Sequence, residues 1–492
     1  MVRIRTISTR SKNTSVQIIE TISHGKIRII KHIGTGHNPE EIENLKELAK
    51  IYINQIHPSI LFPDKENTDF TRVENLELIS YGHDYAYKFL AIFYNLIGFN
   101  NLNNKLLQDL SIIRIIEPAS KIQSIELLKK YFGIKYSEGT LNRGLLEITK
   151  IKNQIENCAI EYAKRNLNFN FSLIFYDVTT LYYESFKEDD FRKAGFSKDN
   201  KSNQPQIVIG LIVNKDGFPI SIQTYKGNTF EGKTFIPSIL KLCNLYNIQR
   251  FTVVADAGML SEEHMKELEK NKLFYIVGAR VANLPKKEQE KISKSLNKTE
   301  KTYYKTKTKN GILICDYSQK RANKDKSDRE KQIKKAKKIL GKSQTINRLP
   351  KYIKQTEGKF SINEDLITQS EIKDGIKGYY TNLKGIKEQK IIEKYHELWH
   401  VEKSFRISKS DLSARPIYLR KKEKILAHIM IIFTALSISK AIEIKTKMSI
   451  KKVRDYIWEI ININLKDKIT GIEYTKSLQN QQSNNFMNFI ED

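Results

Sequence analysis

Apolar and polar positions recur along this chain with two different periods, and the change between them divides it. Up to about residue 170 the spacing is mostly helical. Asn38-Pro39-Glu40-Glu41 reads as a helix start, with Asn as cap, Pro in the first turn and Glu three residues after the cap. Tyr85–Ile97 is apolar on most sides, which predicts a buried helix. Pro118–Phe132 is amphipathic and stops at Gly133, and after a turn a second helix starts at Thr140. Helix, short turn, helix fits either a DNA-reading motif or two packed helices of a bundle.

From residue 171 the period shortens. Ser172–Tyr176 is an apolar run that ends at Asp177. Gln206–Val213 and Pro219–Tyr225 read as strands joined at Asn214-Lys215-Asp216-Gly217, a hairpin signal. A helix over Lys233–Tyr246, a strand over Phe251–Ala255 ending at Asp256, a helix over Ser261–Asn271 and a strand over Leu273–Gly278 follow. Three antiparallel strands followed by parallel additions is the order of an RNase-H-like sheet. A second hairpin, Thr302–Thr308 and Ile312–Tyr317 around Asn310-Gly311, and a Lys-rich helix over Asp325–Leu340 then interrupt the pattern. Helical spacing resumes at about Gln389 and runs to about Ile444.

The predicted class is α/β, or α+β overall, with an RNase-H-like mixed-sheet core interrupted by a basic, β-containing insertion. The expected division is 1–170, a mostly helical DNA-binding region; 171–281, the first part of the core; 282–374, the insertion; 375–450, the second part of the core; and 451–492, a helical segment with a polar tail frayed over Asn480–Asp492.

Charge sharpens this. The net charge is +28, and residues 281–360 hold 24 Lys/Arg against 8 Asp/Glu, so over half of the excess lies in about a sixth of the chain. The 66 Lys against 18 Arg, with many Ile and Asn, point to AT-rich codons as one source of the excess. Codon bias, however, spreads charge evenly, whereas a concentrated basic region is the footprint of a phosphate-bearing partner. Three distant cysteines exclude a disulfide scaffold and a cysteine zinc finger. The longest apolar runs, such as Ile429–Leu436, fall short of a membrane helix, and no apolar stretch follows the basic N-terminus as in a secretory signal. A cytoplasmic, nucleoid-associated protein that does not engage a membrane is expected.

Asp177 and Asp256 each end an apolar strand, where a carboxylate is costly unless paired or bound to metal. Asp also favours strand-end turns, but two such residues on neighbouring strands favour a metal site. The third acid lies in YHELWHVEKSFRISK. On one helix, Tyr395, Glu402 and Lys409 follow each other within about 20°, with Arg406 one turn beyond Glu402. Two Asp and one Glu suit a hard cation such as Mg²⁺, and paired ions serve in-line phosphoryl displacement without a protein nucleophile. Gly227–Thr234 (GNTFEGKT) also fits a phosphate-binding loop, although it follows a hairpin arm. His396-Glu397-Leu398-Trp399-His400 fits the zinc pattern H-E-x-x-H, although it lacks an evident third ligand.

With these residues in hand, the chain resembles bacterial insertion-sequence transposases of the DDE type, in the group with a Y-(2)-R-(3)-E-(6)-K signature. Tyr395, Glu402 and Lys409 hold its spacing, while Leu398 stands at the arginine position. The wording LW-x-VE-x-x-FR-x-x-K with a later RP, together with YDVTTLYYE, VVADAGMLS and GNTFEGKT, is similar to the branch named after insertion sequence sixteen-thirty-four. The resemblance covers roughly residues 80–445. It implies Asp177, Asp256 and Glu402 as catalytic ligands of two Mg²⁺ ions, with Mn²⁺ as a substitute. It also implies Tyr395 and Lys409 on the phosphates of the element's end, and a homodimer on paired DNA ends. Arg406 as replacement for the missing arginine is an inference from spacing, and Lys331, Lys334, Lys335 and Lys338, on one side of the Lys-rich helix, are expected on DNA. The activity implied is strand cleavage at inverted repeats followed by transfer into target DNA. Two alternatives stand beside it: an RNase-H-like nuclease that does not join strands, and a non-catalytic DNA-binding derivative.

Overall fold

The computed structural model describes residues 2–9, 13–22, 26–56, 73–197, 201, 203–248, 250–259, 261–340, 349–356, 359–468 and 471–478. The tail expected over Asn480–Asp492 lies outside them. The chain forms two compact units, Met1–Ala86 with Tyr456–Asp492, and Tyr87–Asp455.

In the first unit an antiparallel sheet of Val2–Ser8, Thr14–Thr21 and Ile27–Gly36 packs on the helix Pro39–Ile56 through Val16, Ile18 and Ala49. That helix starts as its sequence dictates: the Glu41 amide donates to Asn38 Oδ1 at 2.8 Å and Glu41 Oε2 accepts from the His37 amide at 2.7 Å. A second antiparallel sheet joins Leu76–Gly82 to Ile461–Asp467 and Glu473–Leu478. Helices make up much of 1–170, as expected, but among the described residues four strands stand beside them, and the helix Ile450–Trp458 is followed by two further strands that the sequence reading did not give. Strands such as Val2–Ser8 carry Arg3 and Arg5 and read locally as polar loop, and the second sheet pairs segments almost 400 positions apart.

The second unit is built on β1 (Leu173–Tyr182), β2 (Gln206–Val213), β3 (Pro219–Lys226), β4 (Thr252–Ala255), β5 (Phe274–Ala279), β6 (Tyr303–Thr308), β7 (Gly311–Tyr317) and β8 (Ile376–Thr381). Their order is β6-β7-β8-β5-β4-β1-β2-β3. β1, β2 and β3 are antiparallel, while β4 and β5 run parallel to β1. This is the RNase-H-like arrangement. Its helices include α1 (Lys105–Ile116), α2 (Lys121–Phe132), α3 (Glu138–Lys150), α4 (Gly232–Tyr246), α5 (Gln319–Leu340), α6 (Glu388–His396), α7 (Trp399–Arg406) and α8 (Lys422–Thr446).

The insertion is not a separate module. Its hairpin, β6 and β7, pairs through β8 with β5 and so extends the core sheet. A parallel core ending at β5 leaves an open edge of unpaired amides and carbonyls, and β8 covers it. The two helices α2 and α3 are also bundle members: α3 buries Leu141, Leu145 and Ile148, and Thr149 and Asn142 bond to Glu423 and Lys424 of α8. α8 itself corrects the reading of short apolar runs. Among the described residues it is the one helix long and apolar enough to cross a membrane, and 94% of that stretch is buried inside the unit.

Candidate active site

The two faces of the sheet are set by strand alternation. Tyr176 points to one face, where its hydroxyl meets Thr234 Oγ1 of α4 at 2.7 Å. It crosses Gly210, where any Cβ would lie 2.3 Å from the Tyr176 hydroxyl. Thr234, the last residue of the phosphate-loop-like GNTFEGKT, is therefore spent on packing α4: its hydroxyl also donates to the Glu231 carbonyl at 2.6 Å.

Asp177 belongs to the opposite face. It sits inside β1 rather than at its end, because pairing with β2 carries the strand on to Tyr182. In the parallel register Tyr176 pairs with Ala255, and Ala255 with Val277. Asp177 in β1, Asp256 one residue past the end of β4 and Gly278 in β5 are the next positions along that register. Antiparallel pairing adds Tyr379 of β8 opposite Gly278. α7, which carries Glu402, covers this same face: Phe405 and the following Lys409 line an apolar space with Thr179 and Leu181 of β1.

Gly278 is what lets Tyr395 in. A Cβ there would lie 2.6 Å from the Tyr395 hydroxyl, which instead donates to Asp256 Oδ1 at 3.1 Å. Burial, then Asp256 and Glu402, push the Tyr395 phenol above its ordinary range, so it remains a donor. Its ring packs edge-on against Tyr379 at 4.9 Å. The Lys377 ammonium lies 4.5 Å from the centre of the Tyr395 ring. Burial, then Arg321 of α5, lower the Lys377 pKa, while Asp256, Asp316 and Glu402 pull it back up. Those cross-influences tie Asp256, Glu402, Tyr395, Lys377 and Arg321 into one electrostatic neighbourhood. Asp316, whose carboxyl is raised by burial, accepts from the Tyr379 hydroxyl at 3.2 Å.

The continuous helix expected from Tyr395 to Lys409 is broken twice. α6 ends at His396 and α7 begins at Trp399, and Ile407–Asp411 is a π-helical turn closed by Leu412 N–H to the Ile407 carbonyl at 2.9 Å. Lys409 lies within this wider turn and lines the apolar space beside Thr179. Arg406 stays exposed one turn past Glu402, itself exposed, and Leu398 is buried at the first break. The same break undoes H-E-x-x-H: His396 Nε2 meets the Tyr379 hydroxyl at 3.3 Å, and His400 stacks on Trp399 at 4.0 Å. Among the described residues, no three His, Cys, Asp or Glu side chains gather closely enough to hold a metal ion as they stand.

Sequence reasoning missed Lys377, Tyr379, Arg321 and Asp316. Lys377 and Tyr379 share a strand, IKGYYT, with a glycine inside, which hides its alternation. Asp316 is half-hidden in a hairpin arm, and nothing local marks Arg321. Lys331, Lys334, Lys335 and Lys338 are exposed on α5, as is Lys337, because the buried line of that helix is Ala322, Arg329 and Ala336.

A family model described as "Transposase DDE domain" matches residues 169–438, more than half of the chain. No curated protein matches. Among solved structures, the chain is similar to the cryo-EM structure of piggyBac transposase in a synaptic complex with hairpin DNA. The TM-score is 0.36 at 12% identity, over 76% of this chain and 70% of that one.

Proposed function

Since this chain belongs to the family of transposase DDE domains, we propose that it is an insertion-sequence transposase of the Y-(2)-R-(3)-E-(6)-K group. It cuts strands at the inverted-repeat ends of its element and joins the freed 3′-hydroxyls to target DNA. The observation that carries this reading is the parallel register of β1 and β4 at Asp177 and Asp256, under the helix of Glu402.

Asp177, Asp256 and Glu402 are the residues that would hold two Mg²⁺ ions, or Mn²⁺ in their place. The fit is one of donor chemistry: three carboxylates, all oxygen, on one sheet face. Held there, divalent ions would supply activation of the attacking oxygen and neutralisation of charge on the leaving one. Tyr395 orients Asp256 through its hydrogen bond. Lys377, at the edge of the carboxylates, and Arg406, exposed beside Glu402, supply the cations that face the phosphates, in place of the arginine absent at Leu398. Lys409 holds the strand from the β1 side. The protein acts on paired ends as a homodimer.

Asp177→Asn tests the assignment. Cleavage of end DNA in Mg²⁺ should fall by at least about 100-fold, while retention of the same DNA in a gel shift stays within about twofold, because affinity comes from Lys and Arg on phosphates. Near-normal cleavage by Asp177→Asn overturns the catalytic assignment.

A further inference from the structure

Away from the carboxylates, the second unit carries a partly open cavity of about 290 Å³ between the start of α2, the loop 413–419 and α8. Its charge is one-sided. Arg114 of α1, Lys121 of α2, Arg415 of the loop and His428 of α8 line it, and no Asp or Glu does. Arg114 and Lys121 are only 4% and 6% exposed. The Nε of Arg114 and the Nζ of Lys121 are buried without a hydrogen-bond partner.

Burial first, and then the other cations of this cluster, hold Lys121 and His428 well below their ordinary ranges. Burial alone draws Arg114 down to about 10. A buried cation is costly without a counter-charge, and orphaned donors on its side chain add to that cost. Proteins ordinarily answer with a neighbouring acid. Among the described residues none lines this cavity, and the first turn of α2, capped by Ser120, adds the positive end of a helix dipole to the same wall. Pro118, Pro416 and Ile417 make the rest of the lining apolar, which strengthens any charge interaction inside. The cavity opens beside the exposed Tyr418.

We propose that this cavity is an anion site that takes a phosphate group, with Arg114 and Lys121 as its donors. A dianion matches two buried cations and a helix start better than a carboxylate does. The site is tied to the catalytic strand: the Ile417 amide of its loop donates to the carbonyl of Tyr182, the last residue of β1, at 3.1 Å. The phosphate comes either from DNA or from a free phosphate compound in solution.

The test titrates inorganic phosphate, and separately chloride at equal ionic strength, into wild-type protein and into Lys121→Met, reading the thermal midpoint. Phosphate should raise the wild-type midpoint above the chloride control. Lys121→Met should have an equal or higher midpoint without phosphate, because a costly buried cation is gone, and should bind phosphate at least about tenfold more weakly. A Lys266→Met control, changing an exposed lysine of the helix Glu262–Lys270, should keep the full phosphate response. A gel shift with end DNA separates the sources: if Lys121→Met weakens DNA binding and phosphate competes with DNA, the group belongs to DNA; if DNA affinity is unchanged, it is free phosphate. Should the wild-type midpoint move no more with phosphate than with chloride, the proposal is overturned whether or not the variant folds. It is equally overturned if Lys121→Met keeps the wild-type phosphate response.

Discussion

Inside α8, His428 donates from Nε2 to the Ala414 carbonyl at 3.2 Å and lies beside Lys121 and Arg114. Burial first, then those two cations, hold its pKa well below 6.5. The sign follows from which state binds the proton. Below about pH 6.5 the unfolded chain protonates this residue and the folded chain does not, so stability rises with pH and is lost as pH falls. Lys121, also depressed, carries the same sign, over a window that ends at its ordinary lysine pKa rather than at 6.5. Asp316, raised by burial, has the opposite sign: the folded state holds a proton the unfolded state has released, so its share of stability is lost as pH rises through its folded pKa. His428→Gln should therefore flatten the loss of stability as pH falls below about 6.5, read from urea midpoints in phosphate-free buffer. An equally steep acid limb in wild type and variant rules out His428 as its source.

At the scale of elements, the position of Glu402 is set by what clamps α7 on either side. Lys403 pairs with Glu443 of α8 at 3.0 Å, and Ser404 Oγ donates to the Gly217 carbonyl at 2.7 Å. Gly217 closes the β2–β3 hairpin at φ +76°, and a Cβ there would lie 3.1 Å from the His400 carbonyl oxygen. Gly217→Ala combines a left-handed backbone with that close approach and should cost about 1–2 kcal/mol. Ser404→Ala should cost about 1 kcal/mol, the usual worth of such a bond. Denaturant midpoints measure both, and Ser404→Ala should lower cleavage further than its stability loss explains, since α7 loses its tie to the hairpin. A stable Ser404→Ala protein with unaltered cleavage argues against the clamp.

The hairpin itself was legible from Asn214 to Gly217, because Asn214 Oδ1 accepts from the Asp216 and Phe218 amides and Gly217 takes the positive φ: local chemistry decides it. So were β4, β5 and the α4 helix, whose periods are unmixed. The break at Leu398 and the π-turn at Ile407–Asp411 were not, because tertiary packing imposes them on a sequence that reads as one helix. β8 and the two sheets of the first unit escaped as well. β8 and Leu76–Gly82 find their partners far along the chain, and long-range pairing leaves little trace in a short window, whereas Val2–Ser8, Thr14–Thr21 and Ile27–Gly36 pair with near neighbours and were hidden by their polar and charged positions.

For the molecule as a whole, the question is what a concentrated positive charge does once its carrier is joined to the catalytic sheet. The insertion's hairpin continues that sheet through β8, and Arg321, at the start of α5, already acts on Tyr395 and Lys377. α5 is seated by the buried line Ala322, Arg329 and Ala336, with Arg329 ion-paired to Asp374 and, at 3.6 Å, to Glu371. Its remaining surface holds Lys331, Lys334, Lys335, Lys337 and Lys338, all exposed. Replacing these five together should leave the fold intact, because none is part of the buried line, and should weaken binding to the element's ends. Every lysine that no longer neutralises a phosphate should reduce the slope of log affinity against log salt by about 0.9 on duplex DNA. Lys331, Lys334, Lys335 and Lys338 share one side while Lys337 points away from it, so the drop should stay below what all five lysines on DNA would give. End binding measured from low to moderate salt for wild type and the five-fold variant gives both slopes. If they coincide, the lysines only solvate the helix, and the charge excess of the insertion reflects codon usage rather than DNA.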